Sequence, residues 1–131
     1  MQTDVDIIAK TLYGEARGEG YDGMLAVATV IYNRAKHDKD LFVKVCLKPK
    51  QFSCWNGVNN IEIWEYKPWE ICKKISTSML DSTFHPYPFK EINPTHYLTY
   101  TLYMSPKCPN WARGVSGEIV GKHIFLQLKN W

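Results

Sequence analysis

Apolar residues recur at helical spacing through the first third of the chain and switch to an extended pattern near its end. Val5, Ile8, Ala9, Leu12 and Ala16 share one face and predict a helix over residues 4–17. Thr3 is its expected N-cap, Asp4 and Asp6 suit the positive end of the dipole, and Gly18 is the expected C′ residue. A second helix is predicted from Asp22, its expected cap, to His37, with Leu25, Val27, Ala28, Ile31 and Ala35 on its apolar face. Residues 39–45 read as a short helical turn. Lys48-Pro49 and Trp55-Asn56-Gly57 read as loops. A third helix fits residues 68–80, with Pro68 at its start and Ile71, Cys72, Ile75 and Met79 as its buried stripe. After the irregular His85-Pro86-Tyr87-Pro88 the period changes. Residues 95–101 and 119–126 are rich in β-branched and aromatic types and read as two extended segments able to pair. The pattern predicts a mainly helical α+β fold with a small antiparallel β element near the C-terminus.

Composition narrows this picture. A length of 131 residues suits one domain, residues 1–131, and 45% hydrophobic residues suffice for a core. Aromatic residues make up 14%, with five tryptophans and eight tyrosines. Such a surplus either fills an aromatic core or lines a surface groove for sugar rings and other flat ligands. The net charge of +3 is too mild and too scattered for a dedicated nucleic-acid binder. No apolar run reaches membrane-spanning length, so stable membrane insertion is not expected. The first six residues lack the charge and apolar blocks of a secretory signal, which predicts synthesis in the cytoplasm. Cys46, Cys54, Cys72 and Cys108 form no CxxC pair, so no metal site is expected and free thiols are the default. No cofactor-binding motif stands out.

The candidate chemistry centres on Glu15, within Tyr13-Gly14-Glu15-Ala16-Arg17-Gly18-Glu19-Gly20. In the last turn of a helix, the negative end of the dipole and partial burial would favour a protonated carboxyl, as a general acid requires. The competing reading is an ordinary exposed helix residue. Glu19 is the candidate second acid. In a continuous helix it would share a face with Glu15, about 5–6 Å away at Cβ, near the separation used by retaining glycosidases. Gly18 and Gly20 argue against that continuity, and a structural role ahead of the second helix is the alternative. Cys54 with His96 or His123 lacks a nucleophile signature, and Ser53 lacks an elbow of glycines.

Several segments, in order, resemble one family. They are Tyr13-Gly14-Glu15-Ala16-Arg17-Gly18-Glu19, then Gly23-Met24-Leu25-Ala26-Val27-Ala28 and Val30-Ile31-Tyr32-Asn33-Arg34, then Gln51-Phe52-Ser53-Cys54-Trp55. Thr95-His96-Tyr97, Trp111 and Gly121-Lys122-His123-Ile124-Phe125 complete the series. Together they are similar to cell-wall hydrolases of the spore cortex-lytic, SleB/CwlJ-like type. The resemblance implies a lysozyme-like helical domain with a cleft for peptidoglycan glycan strands. It implies cleavage of the β-1,4 bond between N-acetylmuramic acid and N-acetylglucosamine, by hydrolysis or lytic transglycosylation, with the catalytic glutamate at Glu15. Gln51, Ser53, Trp55, Tyr97 and Trp111 are the expected groove residues, Glu19 the candidate second catalytic residue, and His123 a structural one. No separate wall-binding domain or export signal is evident, and cysteine is more abundant than expected of a wall enzyme. These departures point to a monomeric endolysin acting at the bacterial wall after holin-dependent release or from a virion. A non-catalytic glycan-binding or virion structural module of the same fold is the alternative.

Overall fold

The computed structural model describes residues 2–129 and 131. Helix α1 spans Asp4–Ala16. Its N-terminus is closed by a reciprocal cap. Thr3 Oγ1 accepts the Asp6 N–H at 3.1 Å, and Asp6 Oδ2 accepts the Thr3 N–H at 3.4 Å. Two donors that a helix start leaves open are thereby satisfied.

The α-helix ends at Ala16, one residue short of the expected end, and Gly18 is not its C′ residue. Arg17–Glu19 continue as a 3-10 turn, and the left-handed glycine is Gly20, at φ +73°. Helix α2 then runs Gly20–Arg34, so it both starts and ends earlier than predicted. Asp22 lies within its first turn rather than capping it. Beyond Arg34 the chain turns through Lys36 and His37, both at positive φ, and the His37 ring stacks on Tyr32 at 4.1 Å. A 3-10 turn at Lys39–Leu41 leads into α3, Phe42–Leu47. Helix α4 spans Tyr66–Leu80 and carries Pro68 in its first turn, where a missing N–H costs no helical bond.

The β element differs from the expectation in two ways. Strand β1 is only His96–Thr99, because Thr99 Oγ1 accepts the Leu102 N–H and starts the short helix α5, Tyr100–Tyr103. The single extended segment expected over 119–126 is a hairpin of β2, Gly117–Val120, and β3, His123–Leu126. Val120 pairs with His123, leaving Gly121-Lys122 as a two-residue turn with Gly121 at φ +61°. The sheet order is β1-β3-β2, all antiparallel, and Tyr97 stands opposite Phe125.

The main core is built from the apolar faces of α1 to α4 and closed by the sheet. Ile8, Leu12, Met24, Val27, Ile31, Phe42, Phe52, Cys72 and Phe125 are buried there. A smaller cluster of Leu98, Cys108, Ala112, Ile124 and Leu126 supports the sheet from its other side. Two hydrogen bonds fasten the end of α2 to the chain entering β1. Asn33 Nδ2 donates to the Pro94 carbonyl at 2.9 Å, and Arg34 Nε to the Thr95 carbonyl at 2.6 Å. The protein is thus mainly helical, with a small three-stranded antiparallel sheet near the C-terminus. Among the described residues no helix is long and apolar enough to cross a membrane.

Candidate active site

Glu15 lies in the last turn of α1, half-buried, where three separate segments converge on its carboxyl group. From β1, the Tyr97 hydroxyl donates to Oε1 at 2.5 Å. From the 3-10 turn Ser53–Trp55, the Cys54 N–H donates to Oε2 at 3.0 Å and the Ser53 hydroxyl to the same oxygen at 3.3 Å. The close approach of this turn depends on Gly14. A Cβ there would lie 2.5 Å from Cys54 Cβ and 2.9 Å from its sulfur. A side chain at residue 14 would therefore push away the segment that holds Glu15.

A cavity of about 690 Å³ opens over this carboxyl. Its wall includes Gly14, Glu15, Arg34, Lys50, Gln51, Ser53, His96, Tyr97, Trp111, His123, Lys129 and Trp131. Of the residues expected at the site, Glu15, Gln51, Ser53, Tyr97 and Trp111 are brought together here. Glu15 is the only carboxylate among them. The volume falls within the range of small-molecule clefts.

Glu19 and Trp55 are directed elsewhere. The break in helical continuity turns the Glu19 carboxylate onto the β2–β3 hairpin. Its Oε1 accepts the Lys122 N–H at 3.1 Å and pairs with His123 Nδ1 at 2.8 Å. Burial pushes the Glu19 carboxyl up, but the Lys122 N–H and His123 outweigh that and hold it below its ordinary value. Glu19 does not line the cavity, and its contacts tie the start of α2 to the β2–β3 hairpin. The Trp55 indole is drawn back onto α1, where Nε1 donates to Thr11 Oγ1 at 2.8 Å, so it pins the turn instead of facing the groove.

His123 links these parts. Its ring packs edge-on against Tyr97, with centroids 5.5 Å apart, while Phe125 stacks on the same tyrosine at 5.3 Å. Glu19 thus orients His123, His123 and Phe125 confine Tyr97, and Tyr97 holds Glu15. Burial and the neighbouring Glu15 push the Tyr97 phenol well above its ordinary value, so it remains a donor. Burial, with Glu15 next, also raises the Cys54 thiol, which argues against a thiolate nucleophile beside Glu15. Burial lowers His96 to about 4, assisted by Arg34, and its Nδ1 lies 3.0 Å from Thr95 Oγ1. The four cysteines are free thiols, and the described residues contain no cluster of three or more His, Cys, Asp or Glu suited to a metal ion.

Sequence reasoning did not single out Arg34, Lys50, His96, Lys129 or Trp131 as groove residues. Arg34 closes the Val30–Arg34 segment, and its place in that motif was the available signal. The others come from loops and strand ends whose convergence only the fold provides.

Comparison with known proteins fits this geometry. The cell wall hydrolase family model matches residues 18–126, a span that begins just after Glu15. The spore cortex-lytic enzyme of Bacillus cereus is 54% identical over 132 residues, and that of Oceanobacillus iheyensis is 40% identical over 132 residues. Each match covers 96% of this chain but only 45% and 42% of the respective relative, so the chain spans less than half their length. The catalytic domain of the Bacillus cereus SleB protein superposes with a TM-score of 0.66 at 25% identity, over 95% of this chain and 89% of that one. The catalytic domain of the germination-specific lytic transglycosylase SleB from Bacillus anthracis shares the fold, with a TM-score of 0.63 at 24% identity over 97% and 96% of the two chains. The family match over most of the chain, together with these relatives, shows that the chain belongs to the cell wall hydrolase family.

Proposed function

We propose that this domain degrades peptidoglycan by cleaving the β-1,4 bond between N-acetylmuramic acid and N-acetylglucosamine, with Glu15 as general acid and then base. The observation that carries this reading is the position of Glu15 as the sole side-chain carboxylate among the described residues of an aromatic-walled cavity. The Glu15 proton passes to the glycosidic oxygen as the C1–O bond breaks. The resulting carboxylate then takes a proton from the attacking hydroxyl. Ser53 suits the first step, because its hydroxyl is free to rotate and is the longest of the three contacts.

With no second carboxylate on the cavity wall to activate water, the arrangement favours lytic transglycosylation. In that route the muramoyl 6-hydroxyl attacks C1, Glu15 accepts its proton, and an anhydro ring forms. The name of the Bacillus anthracis relative supports the same preference. Trp111 and Trp131 provide aromatic faces for sugar rings, and the site of action would be the bacterial wall. Mass spectrometry of fragments released from purified sacculi tests the reaction type. Muramoyl ends lighter by one water are expected; fully hydrated reducing ends would replace transglycosylation with hydrolysis.

A further inference from the structure

Among the described residues, Arg34 carries the one buried side-chain polar atom left without a hydrogen-bond partner. Its Nε is committed to the Thr95 carbonyl at 2.6 Å. Its Nη1 is sealed from solvent and has no hydrogen-bond partner among the described residues. Among the described residues the only ion pairs are Arg17–Glu65 and Glu19–His123, so no side-chain carboxylate is in direct contact with the guanidinium. The group is held between two rings, 5.0 Å from the Phe52 centroid and 5.2 Å from that of Trp131. Buried guanidinium donors are costly to leave unpaired, and Arg34 lines the same cavity as Glu15. Packing and the Thr95 bond account for the placement of the side chain but leave its Nη1 donors unused. The wall around it carries Lys50 and Lys129 against the single acid Glu15, which favours oxygen-rich or anionic groups.

We propose that Arg34 reads the acyl substituent of the bound sugar, its terminal nitrogens donating to a carbonyl or carboxylate oxygen on the ring seated in the cavity. This rests on the glycan-strand reading above and deepens it. Two substituents of peptidoglycan offer that chemistry, the 2-acetamido carbonyl and the oxygens of the 3-lactyl group. A planar fork with two donors to spare suits either one. Phe52 is fully buried and fixed, whereas Trp131 is about a third exposed. The Trp131 side is therefore the one nearer solvent, from which an acceptor would approach. Burial lowers Arg34 from its ordinary value, while Tyr97 and Glu15 oppose the shift, in keeping with a cation short of solvation.

The test pairs enzyme variants with altered substrates. Rates of release are compared for the wild type, Arg34→Gln and Arg34→Lys on three sacculus preparations: intact, de-N-acetylated, and stripped of peptide stems so that the lactyl group ends in a free carboxylate. If Arg34 holds the acetamido group, de-N-acetylation slows the wild type about tenfold or more but leaves the already slow Arg34→Gln unaffected. If it holds the lactyl group, stem removal speeds the wild type relative to the variant. A wild-type to variant ratio constant within about twofold across all three substrates overturns the proposal. Should neither variant fold, the wild-type Arg34 Nε–H resonance is followed on adding soluble muropeptides and their de-N-acetylated forms. A shift is expected, and its absence with both ligands overturns the proposal. A wild type that releases nothing from intact sacculi instead sinks the glycan-strand reading itself.

Discussion

At the scale of single residues, the site is a carboxyl group whose position depends on its neighbours. Tyr97→Phe removes the 2.5 Å bond to Glu15 Oε1 while keeping the ring between His123 and Phe125. A hydrogen bond to a charged group is worth roughly 1.5–3 kcal/mol, so turnover on sacculi should fall by roughly ten- to a hundredfold. The melting temperature should fall by several degrees at most, because the ring packing survives. His96 gives a prediction about stability. Burial, with Arg34 next, holds its folded value at about 4 against an ordinary 6.5. The unfolded chain therefore takes up the proton first. The His96 contribution is complete above about 6.5 and is lost as pH falls toward about 4. Equilibrium unfolding across that window should show the decline, and His96→Asn should flatten it. Glu15 and Tyr97 were legible in the sequence as candidates, because each sits in a short ordered motif. Their hydrogen bond was not, since it joins residues far apart in the chain.

At the scale of elements, the decisive features are a turn and a hairpin. Gly14→Ala would place a Cβ 2.5 Å from Cys54 Cβ and drive the Ser53–Trp55 turn outward. Overpacking of this kind costs about 1–3 kcal/mol. Activity should fall further than stability explains, because Ser53 and the Cys54 N–H leave Glu15 together. Glu19 fixes the β2–β3 hairpin through Lys122 and His123. Glu19→Ala should cost about 1–3 kcal/mol, a melting shift of several degrees. Because the folded carboxyl sits below its ordinary 4.5, its stabilising effect is present above that pH and is lost as pH falls through the lowered value. Glu19→Gln should remove this part of the acid sensitivity measured by unfolding.

The helices were readable from their 3.6-residue period, and Thr3 was readable as a cap. Two local devices were not. Gly20, not Gly18, takes the left-handed conformation, and Gly121 folds an apparently continuous extended run into a hairpin. Both positions carry glycine in sequence, but for Gly121 the choice between a strand interior and a turn was made by tertiary pairing. The break at residues 17–19 also decides where Glu19 points. Helical spacing would have placed it beside Glu15, whereas the 3-10 turn aims it at the hairpin.

At the scale of the molecule, helices α1 to α4 make a platform and the sheet presents Tyr97 to the end of α1. Composition revealed a surplus of aromatic rings but not where they lie. Tyr97, Trp111 and Trp131 line the cavity, whereas Trp64 and Tyr66 are exposed away from its wall. Trp55 was expected in the groove through the resemblance carried by the Gln51–Trp55 segment, yet a hydrogen bond to Thr11 turns it inward. The central claim, that Glu15 is the one acid doing the chemistry, is tested most directly by replacing only its ability to give and take a proton. Release of soluble fragments from purified sacculi by Glu15→Gln is measured beside the wild type, with circular dichroism melts confirming that both are folded. The fold and site described here predict an intact domain with no detectable release. A folded Glu15→Gln that releases fragments at the wild-type rate would contradict it.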